Sequence, residues 1–469
     1  MQQICKAILS SPKVGNRSIL IIAVMVIAAL IVDTSLERVS DLLGTQSSAS
    51  GLSLALFIVI SVIAYGVGQY LVLSFINYRN KQIIYAVDGR SSKKNRFVLT
   101  QRLVFITQYV LTTLLISVIL LIVFASYFYT IQLILSTVIS YALSIFLLSL
   151  LSHRFFSWHR SNRNFMVLSY GFACGILAVN LGLGVSFVTL ALWNQSPEIR
   201  PHLSVASAYF SPDSPMGILY SSYVFSEIGS FLSMWISTTL LLRHHSRKLG
   251  RAKFWVMVTI PLAYFLSPFI PSFLNQVAAS LVNSDPISAG VLFTLIFAVS
   301  KPTGGILFGV AFWAVARTIR ESILVRDYMI MSALGMVVLF VSSQGTVINA
   351  YYPPFGLVTV LYVGLGSFML IIGLYSSAIS VSQDDKLRKT IRKNTMEESK
   401  LLDSIGTAQM GQDIEQKVLE IERKVMEMAK EDADHLIIKT GVKPSLEEPD
   451  MKRYLEEVMK EVQISIQHK

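Results

Sequence analysis

Long apolar runs fill most of the chain, and a polar, charge-dense stretch follows them. An α-helix of about 20 apolar residues crosses the roughly 30 Å hydrocarbon core of a bilayer, so each run predicts a membrane span. The pattern predicts an all-α fold, with a polytopic helix bundle over residues 1–382 and a cytoplasmic helical tail over residues 383–469. The ten predicted spans cover residues 18–32, 51–76, 103–126, 130–152, 165–193, 218–242, 254–273, 288–316, 328–345 and 357–381.

The overall composition agrees with a membrane protein. Hydrophobic residues make up 53% of the 469 residues and charged residues 15%, with a mean hydropathy of +0.57. The net charge of +11 does not indicate nucleic-acid binding, because the basic excess lies in the short loops between spans. Residues 1–382 hold 24 Lys and Arg against 10 Asp and Glu, whereas the tail holds 16 against 19. The partner that these numbers predict is the lipid bilayer.

Basic residues fall in alternate loops, which predicts the orientation of the chain. Lys and Arg in short loops mark the cytoplasmic side of a membrane protein. With ten spans, both termini and all four basic loops lie on one side, whereas the basic residues of the opposite loops are Arg38 and Arg200. We therefore expect a multi-pass protein of the cytoplasmic (plasma) membrane with both termini in the cytoplasm. The four basic loops are residues 77–102, 153–164, 243–253 and 317–327.

Two ionisable residues interrupt apolar spans and are the candidates for a functional site. A charge at the bilayer centre costs about 2.5–3.5 kcal/mol on insertion scales, so Glu227 and Lys301 should face the protein interior. Their predicted depths differ by about 6 Å, a gap that a lysine side chain bridges, so an ion pair is feasible. The expected ligand-binding residues are Glu227, Lys301, Thr303, Tyr223 and Ser230, and the polar stripe of the sixth span comprises Tyr220, Tyr223, Glu227, Ser230 and Ser237.

The segment SKPTGG around Lys301 predicts an irregular helix. Pro302 lacks a backbone N–H, and Gly304 and Gly305 weaken a helix further, so residues 301–305 are expected to interrupt the eighth span. One interpretation is a broken helix whose freed end binds a polar ligand. The other is a plain kink, with Gly305 and Gly309 forming a small-residue packing face.

Other polar and small residues in the spans predict packing rather than chemistry. Gly171 and Gly175 are interpreted as helix contacts, and Asn180 as a hydrogen-bond partner between helices. The chain has no P-loop, no H-E-x-x-H or G-x-S-x-G motif and no Cys or His spacing typical of a metal site. We therefore predict that the protein is not an enzyme and holds no cofactor or metal.

The tail carries a short heptad pattern over residues 414–428. Its apolar residues alternate in steps of four and three, as in about two heptads of a coiled coil. A second helix is expected near residues 449–462. Either the two helices pack on each other or on cytoplasmic loops, or the seam joins a homo-oligomer or binds a cytoplasmic partner. The seam residues are Ile414, Val418, Ile421, Val425 and Met428.

Three stretches resemble a group of uncharacterised multi-spanning membrane proteins of ammonia-oxidising archaea. They are YYPPFGLVTVLYVGLGSFMLIIGLYSSAISVSQD (351–384), LRKTIRKN (387–394) and ESKLLDSIGTAQMGQDIEQKVLEIE (398–422). The resemblance implies an archaeal cytoplasmic membrane, and it implies no activity.

Two functions remain open from the sequence. The favoured one is a membrane sensor or signalling scaffold whose cytoplasmic helices carry the output, because the last span continues into a patterned tail. The alternative is a secondary transporter or channel with its site near Glu227 and Lys301, because both charges lie within apolar spans.

Overall fold

The computed structural model describes residues 129–194, 214–243, 250–270, 299–319, 322–343, 357–383 and 399–440, with residue 66 and parts of 106–117. Every element in these ranges is helical, in agreement with the predicted all-α fold. A short 3-10 helix, Ser267–Phe269, follows the fourth α-helix. The α-helices are α1 (Tyr129–Ser161), α2 (Phe165–Asn194), α3 (Pro215–Leu242), α4 (Arg251–Leu266), α5 (Ser300–Thr318), α6 (Ile323–Ser342), α7 (Leu357–Gln383) and α8 (Ser399–Thr440).

Six of these helices are long and apolar enough to cross a membrane: α1, α2, α3, α4 with its 3-10 extension, α6 and α7. They fall in six of the predicted spans between 130–152 and 357–381, and α5 falls in the second half of the predicted span 288–316, of which residues 288–298 lie outside the described residues. The predicted spans 18–32 and 51–76, and most of 103–126, lie outside the described residues. The number of ten spans therefore stays a prediction.

Local sequence explains where two of the central helices begin. Ser214 precedes α3, and its hydroxyl accepts a hydrogen bond from the backbone N–H of Gly217 (3.0 Å), while Pro215 occupies the first helical position. Ser322 caps α6 in the same way through the N–H of Val325 (3.3 Å). Both caps satisfy N–H groups that a helix end leaves without an intrahelical partner.

The helices pack as a ring in the order α1, α2, α3, α5, α6, α7 and back to α1, with α4 against α3 and α5. Interhelical contacts show their directions: α1 and α2, α2 and α3, α5 and α6, and α6 and α7 are antiparallel. By contrast, α3 runs parallel to α5, and α1 parallel to α7. The seven helices α1 to α7 thus alternate in direction along the chain, as the predicted spans do.

Because of this alternation, one end of the bundle collects the basic residues at the helix ends. Arg160 ends α1, Arg243 follows α3, Arg251 begins α4, Arg317 lies in the last turn of α5, and Arg326 lies in the first turn of α6. We call this the basic end of the bundle. The outward faces are apolar, with Phe225 and Ile236 of α3 among the exposed side chains, as expected for helices in contact with lipid.

Glycines bring three helices into close contact. A methyl group on Gly366 of α7 would lie 2.8 Å from the backbone nitrogen of Leu339 in α6, and one on Gly335 would lie 2.7 Å from the nitrogen of Leu370. Gly305 and Gly309 of α5 pack in the same way against Phe340 and Val337 of α6. The packing face predicted for Gly305 and Gly309 is therefore confirmed, and α5, α6 and α7 form one closely packed layer.

The first turns of α8 belong to the bundle. Leu401, Leu402, Ile405 and Ala408 are buried, and Gly406 packs directly against Val381 near the end of α7. The chain forms two compact units, Met1–Gln409 and Met410–Lys469, and the division into domains predicted at residues 382/383 stays a prediction. Residues 399–409 are thus a structural part of the membrane bundle.

The turn between α1 and α2 holds these residues of α8 with polar contacts. Trp158 donates its indole N–H to the side-chain oxygen of Gln409 (3.0 Å), and Asn162 donates to the backbone carbonyl of Ser404 (3.4 Å). The side-chain amide of Asn164 donates to the hydroxyl of Ser404. The tail therefore starts at the basic end of the bundle.

The close contact of α6 and α7 makes a stability prediction. Gly366→Ala should lower the free energy of unfolding by about 1–3 kcal/mol, because the added methyl group meets backbone atoms that cannot move aside. The matched control is Gly182→Ala in α2, where the nearest atom would lie 3.9 Å away. Thermal unfolding of the purified protein in detergent measures both. Equal melting temperatures for the two variants would contradict the packing described.

Candidate functional site

A buried ion pair joins α3 and α5. The ammonium group of Lys301 lies 2.7 Å from a carboxylate oxygen of Glu227, and the exposed fractions of the two side chains are 4% and 14%. The same ammonium group donates a hydrogen bond to the backbone carbonyl of Ser343 at 2.8 Å. Lys301 therefore connects three helices: its own helix α5, α3 through Glu227, and α6 through Ser343, the residue directly after that helix. The ion pair that the sequence made feasible is present.

The carbonyl of Ser343 is a suitable partner for a cation. It lies at the C-terminus of α6, where carbonyl groups lack intrahelical partners and the helix dipole is negative. Lys301 itself lies in the first turn of α5, where the dipole of its own helix disfavours a positive charge. The contacts to Glu227 and Ser343 offset both this effect and the loss of water around the ammonium group.

The helix break expected inside residues 301–305 is not there, because these residues lie in the continuous helix α5. The helix begins at Ser300, after Val299 in a turn, and the first backbone bond runs from the N–H of Thr303 to the carbonyl of Val299 (3.1 Å). Pro302 is tolerated since it occupies the first turn, where its N–H would have no partner within the helix. Gly304 and Gly305 serve packing against Phe231 and Phe340.

Four phenylalanines from four helices pack one turn from the ion pair, towards the basic end. Phe231 of α3 stacks on Phe265 of α4, with ring centroids 3.7 Å apart and nearly parallel planes. It also meets Phe308 of α5 at 5.2 Å, and Phe308 meets Phe340 of α6 at 4.8 Å. These rings keep water from that side of the pair. Removing one charged partner should consequently leave the other poorly solvated.

The other predicted site residues take different roles. Ser230 donates its hydroxyl hydrogen to the backbone carbonyl of Glu227 (2.9 Å), and Thr303 donates to that of Val299 (2.7 Å). Tyr223 packs its ring on Phe187 of α2 with centroids 6.2 Å apart. The structure thus places Ser230 and Tyr223 on the helix of Glu227, and Thr303 on the helix of Lys301. Their proposed contact with a ligand stays a prediction.

Asn180 links α2 to α3 near the carboxylate. Its amide donates to the hydroxyl of Ser226 (3.0 Å) and to the carbonyl of Tyr223 (3.3 Å), which confirms the predicted interhelical role. Its side-chain oxygen is buried and has no hydrogen-bond partner among the described residues. A polar interior therefore continues from the ion pair towards α2.

One contributor to the site was not found from the sequence. The backbone carbonyl of Ser343 accepts a hydrogen bond from Lys301, and a backbone acceptor has no sequence signal beyond its place at a helix end.

The pair lies towards the end of the bundle opposite the basic end. Lys301 precedes Arg317 in α5 by sixteen residues, about 24 Å along the axis, and Glu227 precedes Leu242 by fifteen, about 22 Å. We call the ion pair of Glu227 and Lys301, together with the contact of Lys301 to Ser343, the latch, because these contacts hold α3, α5 and α6 together. Among the described residues, no three His, Cys, Asp or Glu side chains lie close enough together to hold a metal ion.

Comparisons with family models, curated proteins and solved structures find no match to this chain. Function is therefore inferred from the geometry of the ion pair and of the docked tail.

The latch makes a prediction for a double-mutant cycle. Lys301→Met or Glu227→Gln alone should lower the free energy of unfolding by about 3–5 kcal/mol, because each leaves an uncompensated buried partner. The double variant should recover much of this loss, because it buries no net charge. Equilibrium unfolding in mixed micelles measures the three variants. Additive losses in the double variant would show that the two side chains do not stabilise each other.

Proposed function

We propose that this protein is a membrane sensor or signalling scaffold in which a change in the bundle is passed to the helical tail. The observation that carries the proposal is the docking of residues 401–409 of α8 on the bundle through Trp158, Asn164 and Val381. A tail that only anchors the protein has no need of buried and hydrogen-bonded first turns. A tail that responds to a conformational change of the bundle does need them, because such a change is transmitted through packed side chains and hydrogen bonds.

Contiguous contacts connect the latch to the docked turns. Lys301 holds the C-terminal end of α6 through Ser343, and α6 packs against α7 through Gly335, Gly366 and Gly373. Close backbone contacts do not stretch, so a shift of α6 displaces α7. Val381 near the end of α7 touches Gly406 of α8. The bundle thus offers a route for an event at the latch to change the docking of α8.

The remaining features of the proposal follow the sequence. We place the protein in the plasma membrane with ten spans and both termini in the cytoplasm, which the collection of Arg243, Arg251, Arg317 and Arg326 at one end of the bundle supports. An archaeal origin rests on the resemblance of residues 351–422. The absence of catalytic motifs from the sequence supports a protein without enzymatic activity.

Hydrogen exchange tests the coupling between latch and tail. In nanodiscs, Lys301→Met should increase the exchange of amides 401–409 by about 5- to 150-fold, the usual range for coupled sites. The matched control is Lys253→Met at the exposed start of α4, which should leave these amides unchanged. Faster exchange confined to α3, α5 and α6, with wild-type protection at 401–409, would contradict the proposal.

A secondary transporter or channel is the second candidate. It is favoured by the buried charges of Glu227 and Lys301 and by the buried oxygen of Asn180, which is free to accept a hydrogen bond from a polar solute or water.

Flux measurements separate the two candidates. Proteoliposomes with an entrapped pH dye, given a proton or sodium gradient, should show no flux through the wild type if it is a sensor. A transporter should show flux that Lys301→Met abolishes and that a truncation after Met410 preserves. The truncation must keep residues 399–409, since these are packed into the bundle.

A further inference from the structure

Beyond its docked turns, α8 exposes apolar side chains in a heptad pattern. Ile421 is 61% exposed and Met428 is 56% exposed, and both lie in the predicted seam. Ile414 and Val418 of the same seam are partly exposed. These residues lie on one face of the helix, because steps of four and three return to the same side. Such a face does not stabilise an isolated helix in water, because its apolar side chains stay exposed. We therefore expect another helix to cover it.

We propose that residues 414–428, the seam, join two copies of this chain in a parallel two-stranded coiled coil. The docked segment 401–409 supplies the first argument for a second copy. Both copies start α8 from the same end of their bundles, and both bundles lie in the same membrane. The seam of each copy therefore begins the same few residues after a segment docked on its bundle, which suits a parallel pair in which the two seams start side by side. From the proposed function, the dimer proposal takes only the cytoplasmic location of the tail.

The charges beside the seam match a parallel dimer. With Val418 and Val425 at positions a, Lys417 occupies position g and Glu422 position e. In parallel coiled coils, position g faces position e of the following heptad in the other helix. Lys417 of each copy therefore meets Glu422 of the other, an attractive contact formed twice by symmetry. An antiparallel pair would instead bring positions g together, Lys417 and Lys424 against each other.

Valine at position a is compatible with two parallel strands, whereas isoleucine at position d (Ile414, Ile421) also fits larger bundles, so the pairing of Lys417 with Glu422 carries the argument. Two heptads alone form a weak coiled coil. Tethering to bundles in one membrane raises the effective concentration of the two helices, as a linker does for two binding modules. We therefore expect the dimer in the full-length membrane protein and a monomeric helix in the isolated peptide.

Disulfide trapping tests the parallel dimer on the full chain. In a Cys5→Ser, Cys174→Ser background, Met428→Cys should crosslink two copies under mild oxidation in native membranes, because position d meets its counterpart only in parallel strands. The matched control is Arg423→Cys, because Arg423 lies at outward position f and its side chain is 79% exposed. Equal crosslinking of both variants, or none of Met428→Cys, would overturn the proposal.

Two further variants address the partner. Lys417→Glu should slow the crosslinking of Met428→Cys about two- to fivefold through repulsion from Glu422, and adding Glu422→Lys should restore it. Arg423→Gln is the control at position f and should have no effect, because its exposed pair with Glu427 contributes little. Deleting residues 441–469 should leave crosslinking unchanged. If it appears only after this deletion, the predicted helix 449–462 of the same chain occupies the seam, and the dimer proposal is wrong.

The experiment is independent of the sensing proposal. Crosslinking of Met428→Cys reports on the seam alone, whereas hydrogen exchange in Lys301→Met reports on coupling between the latch and residues 401–409. Crosslinking without coupling would contradict the sensing proposal and support the coiled-coil dimer. Coupling without crosslinking would support the sensing proposal and contradict the dimer.

Discussion

A lysine ammonium group within an apolar bundle must find compensation, and the arrangement of three helices follows from this requirement. Lys301 takes a carboxylate from α3 and a terminal carbonyl from α6 while it lies in the first turn of α5. Each contact depends on the length and direction of a helix. A shift of α6 by one turn, about 5.4 Å, would remove Ser343 from reach. The charge therefore fixes the register of α3, α5 and α6, and the phenylalanines beside it pack on that register.

Glycine contacts extend this fixed register through the bundle. At Gly366 and Gly335 the backbones of α6 and α7 touch with no side chain between them, so the two helices form one closely packed layer. The ion pair by itself adds little net stability after desolvation, yet it is costly to break, which is the property of a latch. The bundle thus contains an ion pair whose disruption is strongly destabilising. It also contains the closely packed layer of α5, α6 and α7, and α8 docks at the basic end of this layer.

The sequence predicted the class of fold and the inward direction of the two charges for physical reasons. Apolar runs of span length allow few structures other than helices, and charges in two such runs must face inward; the pairing of Glu227 with Lys301 was feasible from their depths, and only the structure shows it. Residues 301–305 do not break α5, because this helix begins at Ser300 and places Pro302 in its first turn. Residues 288–298 lie outside the described residues, so an interruption of the predicted span before Ser300 stays a prediction. The contact of Lys301 with Ser343 could not be predicted, because every residue type has a backbone carbonyl.

The tail shows a different limit of prediction. Residues 399–409 hold fewer charges than the exposed part of α8 that follows them, but a short stretch of this kind does not show what it packs against. Only three-dimensional contacts reveal that Leu401, Leu402, Ile405 and Ala408 are buried. One helix thus has a first part held by the bundle and a second part with an uncovered apolar face.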